Sequence, residues 1–290
     1  MNTLLYGNGI NIVAGAPSWN NLLRGIFTNS NNYDGVPLTM NYDSLFLCQN
    51  RNELEVKNQI SSKLKVYKGY LIEKVSNTPF DAYMTTNYDR TLELYFDTQA
   101  DGPLAKERRF SLFRRSCCMR AKKTLSVWHI HGDVKFPQSI MLGFDQYCRY
   151  LRKIELYVFG KLKNISEVSM EERIKNRKTS ITSWVDLFFL SDIYIVGFGL
   201  DYSEIDIWWL FFHRARLLRK GITIKNKIFY YDPCVDASKN KMLNTLNICV
   251  NDDVQREKSK RGKDFWEKWY NDVFDAIENK MEQLHKSVAI

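Results

Sequence analysis

The stretch IYIVGFGLD, residues 193–201, places a short run of β-branched and apolar residues directly before a glycine turn. Residues 193–196 are typical of a buried strand, and residues 203–219 have the pattern of a following helix, with Ser203 as its predicted N-cap. The same order of strand, polar turn and helix recurs along the chain. Further strands are predicted at residues 4–6, 81–85, 125–130, 139–142, 228–231 and 246–250.

Strands that alternate with helices indicate an α/β fold, here a Rossmann-like parallel sheet with helices on both faces. The other helices are predicted at residues 19–27, 42–49, 53–76, 90–96, 145–159, 183–190 and 264–285. We expect residues 1–290 to form a single domain. Two insertions are predicted in it, a basic loop near residues 101–124 and a helical insertion near residues 145–190.

The composition is that of an ordinary globular protein, with 44% hydrophobic and 26% charged residues among 290. No apolar run approaches the roughly 18 residues that a membrane-spanning helix needs, and the first residues lack the basic start of a signal peptide. We therefore expect a cytoplasmic protein without a membrane segment. The six cysteines form no C-x-x-C pair, which argues against a zinc module and favours reduced thiols.

The net charge is +9, and the basic residues concentrate in three segments. The first, residues 106–123, contains Lys106, Arg108, Arg109, Arg114, Arg115, Arg120, Lys122 and Lys123. Its charge favours contact with a polyanion, such as a nucleotide, a nucleic acid or an acidic protein partner. Few aromatic residues interleave with these charges, which weakens a stacking platform for single-stranded nucleic acid. The other two segments, near residues 173–178 and 256–263, are interpreted as solvated surface.

Several predicted strands end in glycine, asparagine, histidine or aspartate. Ligands of parallel α/β sheets bind beyond the carboxyl ends of the strands, so a ligand site is expected at these turns. Two of them are glycine turns, GNGIN at residues 7–11 and GFGLD at residues 197–201. Glycine lets the backbone approach phosphate oxygens closely, and the helix that follows offers free N–H groups. Taken alone, each turn is better explained as a plain connection.

The segment TTNYD, residues 85–89, follows another predicted strand. The amide of Asn87 can donate and accept at once, so it suits a ribose hydroxyl or an attacking water. Asp89 suits a helix cap or an acceptor that fixes the loop. Later in the chain, Asp232 ends a strand before a proline. It is either an acceptor for ribose hydroxyls or a turn residue.

The segment WHIHGD, residues 128–133, contains two of the four histidines in the chain. His131 is the candidate acid/base group, because imidazole titrates near neutral pH, while His129 is interpreted as structural. Alternate residues of a strand share a face, so the two rings point the same way unless the strand ends between them. Gly132 would let a substrate approach His131 closely. No cysteine or carboxylate stands at ligand spacing, so no metal site is expected.

The order of these motifs resembles the sirtuin-like family. The matching features are an N-terminal glycine loop, a T-x-N-Y-D stretch, a strand ending in His-Gly and a late G-x-G-x-D loop. The resemblance implies that NAD is the substrate and that Asn87 and His131 are the catalytic residues. The residues expected to bind NAD are Gly7, Asn8, Gly9, Asn11, Asp89, Gly197, Gly199, Asp201 and Asp232.

Two departures refine the resemblance. Deacylase members of the family carry a four-cysteine zinc module, and their glycine loop reads G-A-G-x-S rather than G-N-G-I-N. Both departures move the chain toward the zinc-less, NAD-hydrolysing effectors of bacterial anti-phage defence. The expected reaction is hydrolysis of NAD to ADP-ribose and nicotinamide during abortive infection, controlled by homo-oligomerisation or by a sensor partner.

Three alternatives remain open from the sequence. The chain could be an NAD-dependent protein deacylase, which requires an acyl-peptide groove. It could be a non-catalytic subunit of a defence complex that binds NAD or ADP-ribose without turnover. It could also bind nucleic acid through its basic loops, which predicts strongly salt-dependent binding.

Overall fold

The computed structural model describes residues 1–27, 35–101, 111–178, 180–251 and 262–288. Its eight described strands form one sheet in the order β3-β4-β5-β2-β1-β6-β7-β8. The strands are β1 (Asn2–Tyr6), β2 (Ala82–Thr85), β3 (Asp97–Asp101), β4 (Arg115–Arg120), β5 (Lys123–His129), β6 (Asp192–Val196), β7 (Ile228–Tyr231) and β8 (Ile248–Val250).

Six strands, from β5 to β8 in the sheet order, run parallel to one another. Tyr6 at the end of β1 pairs with Thr85 of β2 and with Val196 of β6, so the carboxyl ends of these strands coincide. The predicted Rossmann-like α/β fold is therefore confirmed. The structure differs from the predicted all-parallel sheet at one edge. There β3 and β4 form a hairpin, and β4 pairs antiparallel with β5.

The segment predicted as a basic loop is thus partly strand. Residues 102–110 of that segment lie outside the described residues, and so do Lys106, Arg108 and Arg109. The described rest includes the end of β3, β4 and the start of β5. An alternating burial pattern along β4 explains why this basic sequence is a strand, since every second residue at its start contacts the interior.

Eleven α-helices occur in the described ranges. They are α1 (Asn8–Val13), α2 (Trp19–Arg24), α3 (Leu38–Cys48), α4 (Glu53–Lys63), α5 (Tyr70–Asn77), α6 (Phe144–Val158), α7 (Met170–Lys175), α8 (Trp184–Leu190), α9 (Ile205–Arg219), α10 (Ala237–Thr245) and α11 (Lys263–Val288). Among the described residues, no helix is both long and apolar enough to cross a membrane.

Three local predictions were wrong. The helix expected at residues 53–76 is two helices, because the chain leaves the helical conformation at Leu64 and restarts after Gly69. The helix expected at residues 90–96 is reduced to a 3₁₀ turn, Leu92–Leu94. The strand expected at residues 139–142 lies outside the sheet and follows another 3₁₀ turn, Pro137–Ser139.

Apolar side chains cover both faces of the sheet. On one face α6, α8 and α9 pack over the strands, and α8 is buried on all sides, as its sequence WVDLFFL requires. On the other face α1, α5 and α11 form a second cluster. A third cluster joins α2, α3 and α4 beyond the strand ends. Helices therefore surround the edge at which β1, β2, β5, β6 and β7 end.

Candidate active site

A cavity of about 910 Å³ opens at the carboxyl ends of the parallel strands. Its wall includes both glycine turns, His131, the end of β7 and three aromatic residues of α11, Trp266, Trp269 and Tyr270. The volume lies within the range of small-molecule sites. The structure thus places a pocket where the sheet topology predicts one.

The two glycine turns contact each other through their backbones. Gly9 donates its N–H to the carbonyl of Gly197 at 2.8 Å. A Cβ on Gly9 would come within 2.5 Å of the Tyr270 hydroxyl and 2.7 Å of that carbonyl. Gly197 itself has φ +65° and faces Ile10, whereas a Cβ on Gly199 would meet nothing within 4 Å. Close packing of the two turns therefore explains Gly9 and Gly197, and only Gly199 presents open backbone to the cavity.

Seven of the predicted site residues line the cavity. They are Asn8, Gly9, His131, Gly197, Gly199, Asp201 and Asp232. The two carboxylates are also engaged locally. Asp201 accepts the backbone N–H of Ser203, and Asp232 accepts that of Cys234 and the hydroxyl of Tyr230. The remaining four predicted residues, Gly7, Asn11, Asn87 and Asp89, lie behind the wall.

Asn11 and Asp89 form a buried pair that joins the first glycine turn to the loop after β2. The Asn11 Nδ2 donates to Asp89 Oδ2 at 2.9 Å, and Asp89 Oδ1 accepts the backbone N–H of Thr91 at 3.1 Å. Burial raises the pKa of Asp89 despite these donors. The pair fixes two loops that carry site residues, which matches the loop-fixing role considered for Asp89; contact of either residue with NAD stays a prediction.

Asn87 is completely buried, while its neighbours Thr86 and Tyr88 line the cavity. Its backbone N–H donates to Thr85 Oγ1 at 3.0 Å. Within the described ranges, neither its Nδ2 nor its Oδ1 has a hydrogen-bond partner. A buried polar group left unpaired costs about 1–3 kcal/mol. An amide in this state next to a cavity is suited to a water or a ligand hydroxyl.

His131 is held between two carboxylates. Its Nε2 lies 2.9 Å from Asp206 Oδ2, and its Nδ1 lies 3.2 Å from the Tyr147 hydroxyl and 3.7 Å from Glu204 Oε2. Burial lowers the pKa of the imidazole, but the charges of Asp206 and Glu204 outweigh burial and raise it overall. The ring is thus fixed in place, and its protonated form is stabilised.

The sequence prediction missed Glu204 and Asp206. It placed Ser203 as the N-cap of the helix, whereas α9 starts at Ile205 with Glu204 in the capping position and no side-chain cap bond. That start leaves Glu204 on the cavity wall and buries Asp206 completely. One sequence signal could have identified these two acids as site residues. They stand at the start of a helix that follows a strand-end glycine turn, which is where ligand sites form.

A family model described as a SIR2-like domain matches residues 81–250 of the chain. The match covers more than half of the 290 residues. The chain belongs to the SIR2-like family. The matched range contains the loop after β2, the His-Gly turn, the second glycine turn and the start of α9, so it contains most of the site.

Two curated relatives share part of this SIR2-like chain. The NAD(+) hydrolase ThsA of Acinetobacter baumannii (strain 532279) is 28% identical over 153 residues, which is 50% of this chain and 30% of the relative. The NAD(+) hydrolase ThsA of Bacillus cereus (strain MSX-D12) is 26% identical over 162 residues, or 52% and 32%. The alignments span about a third of the length of either relative.

Within this SIR2-like site, one group of described residues has the composition of a metal site. His131, Glu204 and Asp206 each offer a ligand atom, and these atoms lie within 4.8 Å of one another. The carboxylates that sequence spacing around His131 lacked are supplied by the capping position and first turn of α9, and Asp206 is 75 residues further along the chain. The expectation of a metal-free site stays a prediction.

Proposed function

We propose that this SIR2-like chain is an NAD hydrolase that cleaves the nicotinamide–ribose bond to give ADP-ribose and nicotinamide. The observation that carries the proposal is the cluster of His131, Glu204 and Asp206, of which His131 and Glu204 line a cavity of about 910 Å³. The cluster gives the cavity acid/base groups, and Gly199 gives it backbone that a dinucleotide can approach. The names of the two relatives support the same reaction.

The reaction separates a C–N bond and adds a water. The bonding electrons leave with nicotinamide, and C1′ of the ribose becomes oxocarbenium-like. A water oxygen then bonds to C1′ and gives up a proton. The site must hold the ribose and place that water. We assign this positioning to the Asn87 amide and the acid/base chemistry to His131 with its carboxylates, and Asp232 would accept ribose hydroxyls.

Hydrolysis is favoured over protein deacylation by the cysteines. All six are free, and their spacing does not provide the paired ligands of a structural zinc module. We extend the proposal to a cytoplasmic effector of anti-phage defence. An unregulated NAD hydrolase would harm its own cell, so we propose an off state that assembly or a sensor partner relieves.

We keep the basic segment, residues 106–123, as the proposed partner surface, but with fewer of its basic residues. Arg114 is 2% exposed, and Arg120 donates to the carbonyls of Ser76, Thr78 and Phe80. These two arginines therefore support the hairpin. Lys122 and Lys123, at the tip between β4 and β5, are exposed and carry the proposal in the described part of the segment.

The test is release of free nicotinamide from NAD by the purified chain, beside the Asn87→Ala variant. We expect release by the wild type and a loss of about 100-fold or more in the variant, since water and ribose positioning contributes that much. Asn244→Ala, on the exposed face of α10, is the matched control and should keep full activity. A wild type that binds NAD but releases no nicotinamide alone, at high protein concentration and with infected-cell extract would contradict the proposal and favour a binding subunit.

A further inference from the structure

We infer that Lys239 is a positioning residue for substrate binding. It fixes the second glycine turn, residues 197–201, so that two backbone N–H groups of the turn face the cavity and bind phosphate oxygens of NAD. The inference rests on the proposed function, because the dinucleotide supplies the phosphates. Lys239 lies on α10, outside every motif that the sequence analysis singled out.

The first observation is the set of groups that surround the Lys239 ammonium. Its Nζ donates to the backbone carbonyl of Gly199 at 2.7 Å and to that of Leu200 at 2.8 Å. The same nitrogen lies 5.6 Å from the ring centre of Tyr230 and 5.9 Å from that of Tyr202, within reach of a cation–π attraction. Two consecutive carbonyls of the turn are therefore directed at one cation on α10.

The second observation is the backbone conformation that these bonds hold. Leu200 has φ +47°, in the left-handed region that residues other than glycine rarely occupy. A backbone of this kind is strained and persists only where its surroundings hold it. The Leu200 side chain is 1% exposed and packs in the core cluster of α6, α8 and α9. Core packing thus fixes the side chain of Leu200, and Lys239 fixes the two carbonyls.

The third observation concerns the N–H groups of Leu200 and Asp201. In a trans peptide the C=O and the following N–H point in opposite directions, so both N–H groups point away from Lys239. Neither donates to an acceptor in the described part of the chain. The three residues from Gly199 to Asp201 line the cavity, whereas Lys239 does not. Consecutive N–H groups beside a left-handed residue form a concave site for an anion.

The charges around the turn explain the need for a cation there. Asp201 and Asp232 line the cavity, so a phosphate bound at the turn would approach both carboxylates. Lys239 is half-buried and interacts electrostatically with both acids and with Asp236. The ammonium offsets these negative charges while its hydrogen bonds orient the turn. Because Lys239 does not line the cavity, its effect on a phosphate passes through the backbone of the turn.

The test compares a ligand that contains a diphosphate with one that lacks it. Wild type and Lys239→Met are titrated with ADP-ribose by calorimetry and with adenosine by ligand-observed NMR. We expect Lys239→Met to raise the Kd for ADP-ribose by about 10–100-fold, the value of one hydrogen bond to a charged group. The Kd for adenosine should not change. In steady-state turnover of NAD, KM should rise by a similar factor while kcat is unchanged.

Two further variants and a salt series control for charge. Lys241→Met removes the same charge from an exposed position of α10 and should bind ADP-ribose like the wild type. Lys239→Arg keeps the charge and offers several N–H groups to the two carbonyls, so it should retain most of the affinity. The difference between wild type and Lys239→Met should persist in about 1 M salt, where the screening length is roughly 3 Å.

Four results would overturn the assignment. An unchanged Kd for ADP-ribose in Lys239→Met shows that the turn does not depend on Lys239. An equal loss for adenosine and ADP-ribose makes Lys239 a structural residue of the whole pocket. A loss that disappears in high salt, or that Lys241→Met reproduces, is an effect of charge alone. A wild type that does not bind ADP-ribose has no phosphate site at the turn.

Failure of the proposed function gives a different pattern. A wild type that never releases nicotinamide, but binds ADP-ribose with the expected differences between variants, refutes the hydrolase and supports the role of Lys239. The binding experiments and the turnover experiments therefore fail separately.

Discussion

His129 and His131 stand two residues apart, both buried, yet they belong to different parts of the molecule. β5 ends at His129, so the strand alternation stops there and the two rings meet different partners. His129 Nε2 lies 2.6 Å from Glu93 Oε1, away from the cavity, whereas His131 lies on the cavity wall. The comparison teaches that the end of the strand, rather than the residue type, decides which histidine is available for chemistry.

The hydrogen-bond and ion-pair networks around His129 and His131 also differ. His129 belongs to a network in which Glu93 also accepts a hydrogen bond from Ser116, and Arg90 pairs with Asp133. Burial lowers the pKa of His129, but Glu93 and Asp133 raise it to about 9. This network ties the edge hairpin to the sheet. Of the two acids beside His131, by contrast, Glu204 lines the cavity.

The largest expected effect is on activity. His131→Ala should lower the rate of nicotinamide release from NAD by about 10³-fold, in the range typical of a lost acid/base group. The melting temperature should also fall, because the fully buried Asp206 loses its partner, so the rate is compared per folded molecule. Activity assays and thermal unfolding of the same preparation measure both. A variant that keeps activity would remove His131 from the site.

The next effect is on stability. His129→Ala should lower the free energy of unfolding by about 3 kcal/mol, because breaking a buried pair leaves Glu93 without its partner. The rate of nicotinamide release per folded molecule should stay near that of the wild type. Denaturant unfolding and activity at low temperature test this. Loss of activity in a stable His129→Ala protein would show that His129, like His131, is needed for the reaction.

The smallest effect is a pH dependence of that stability difference. The folded pKa of His129, about 9, exceeds the unfolded value of about 6.5, so the folded state binds the proton more tightly. The stabilisation of the folded state by protonated His129 is complete below pH 6.5. It is lost as pH rises through 9, at about 1 kcal/mol per pH unit. Unfolding curves of the wild type and His129→Ala should converge over this interval. Curves that stay parallel would contradict the raised pKa.

The fold could be read from the sequence because its strands are short, apolar and followed by polar turns. The edge hairpin was missed because the basic residues of β4 resemble a loop, and their burial depends on cross-strand partners. The strand predicted at residues 139–142 fails for a similar reason. Its apolar residues fill the third cluster and the space beside Gly132, where a Cβ would come within 2.6 Å of Ile140.

That contact also corrects the role predicted for Gly132. The missing side chain accommodates the backbone of Ser139 and Ile140, not a substrate. At the site, the strand-end motifs identified His131 and both glycine turns. Glu204 and Asp206 could not be linked to His131 from the sequence, because only the parallel pairing of the sheet brings the start of α9 beside the end of β5.

The contact between the two glycine turns sets when the cavity forms during synthesis. Gly9 leaves the ribosome before its partners Gly197 and Tyr270. At about 5–20 residues per second, the delay between residues 9 and 270 is roughly 10–50 seconds. Until then the first turn has no opposite wall. A nascent chain therefore has no complete pocket until α11 has folded onto the sheet.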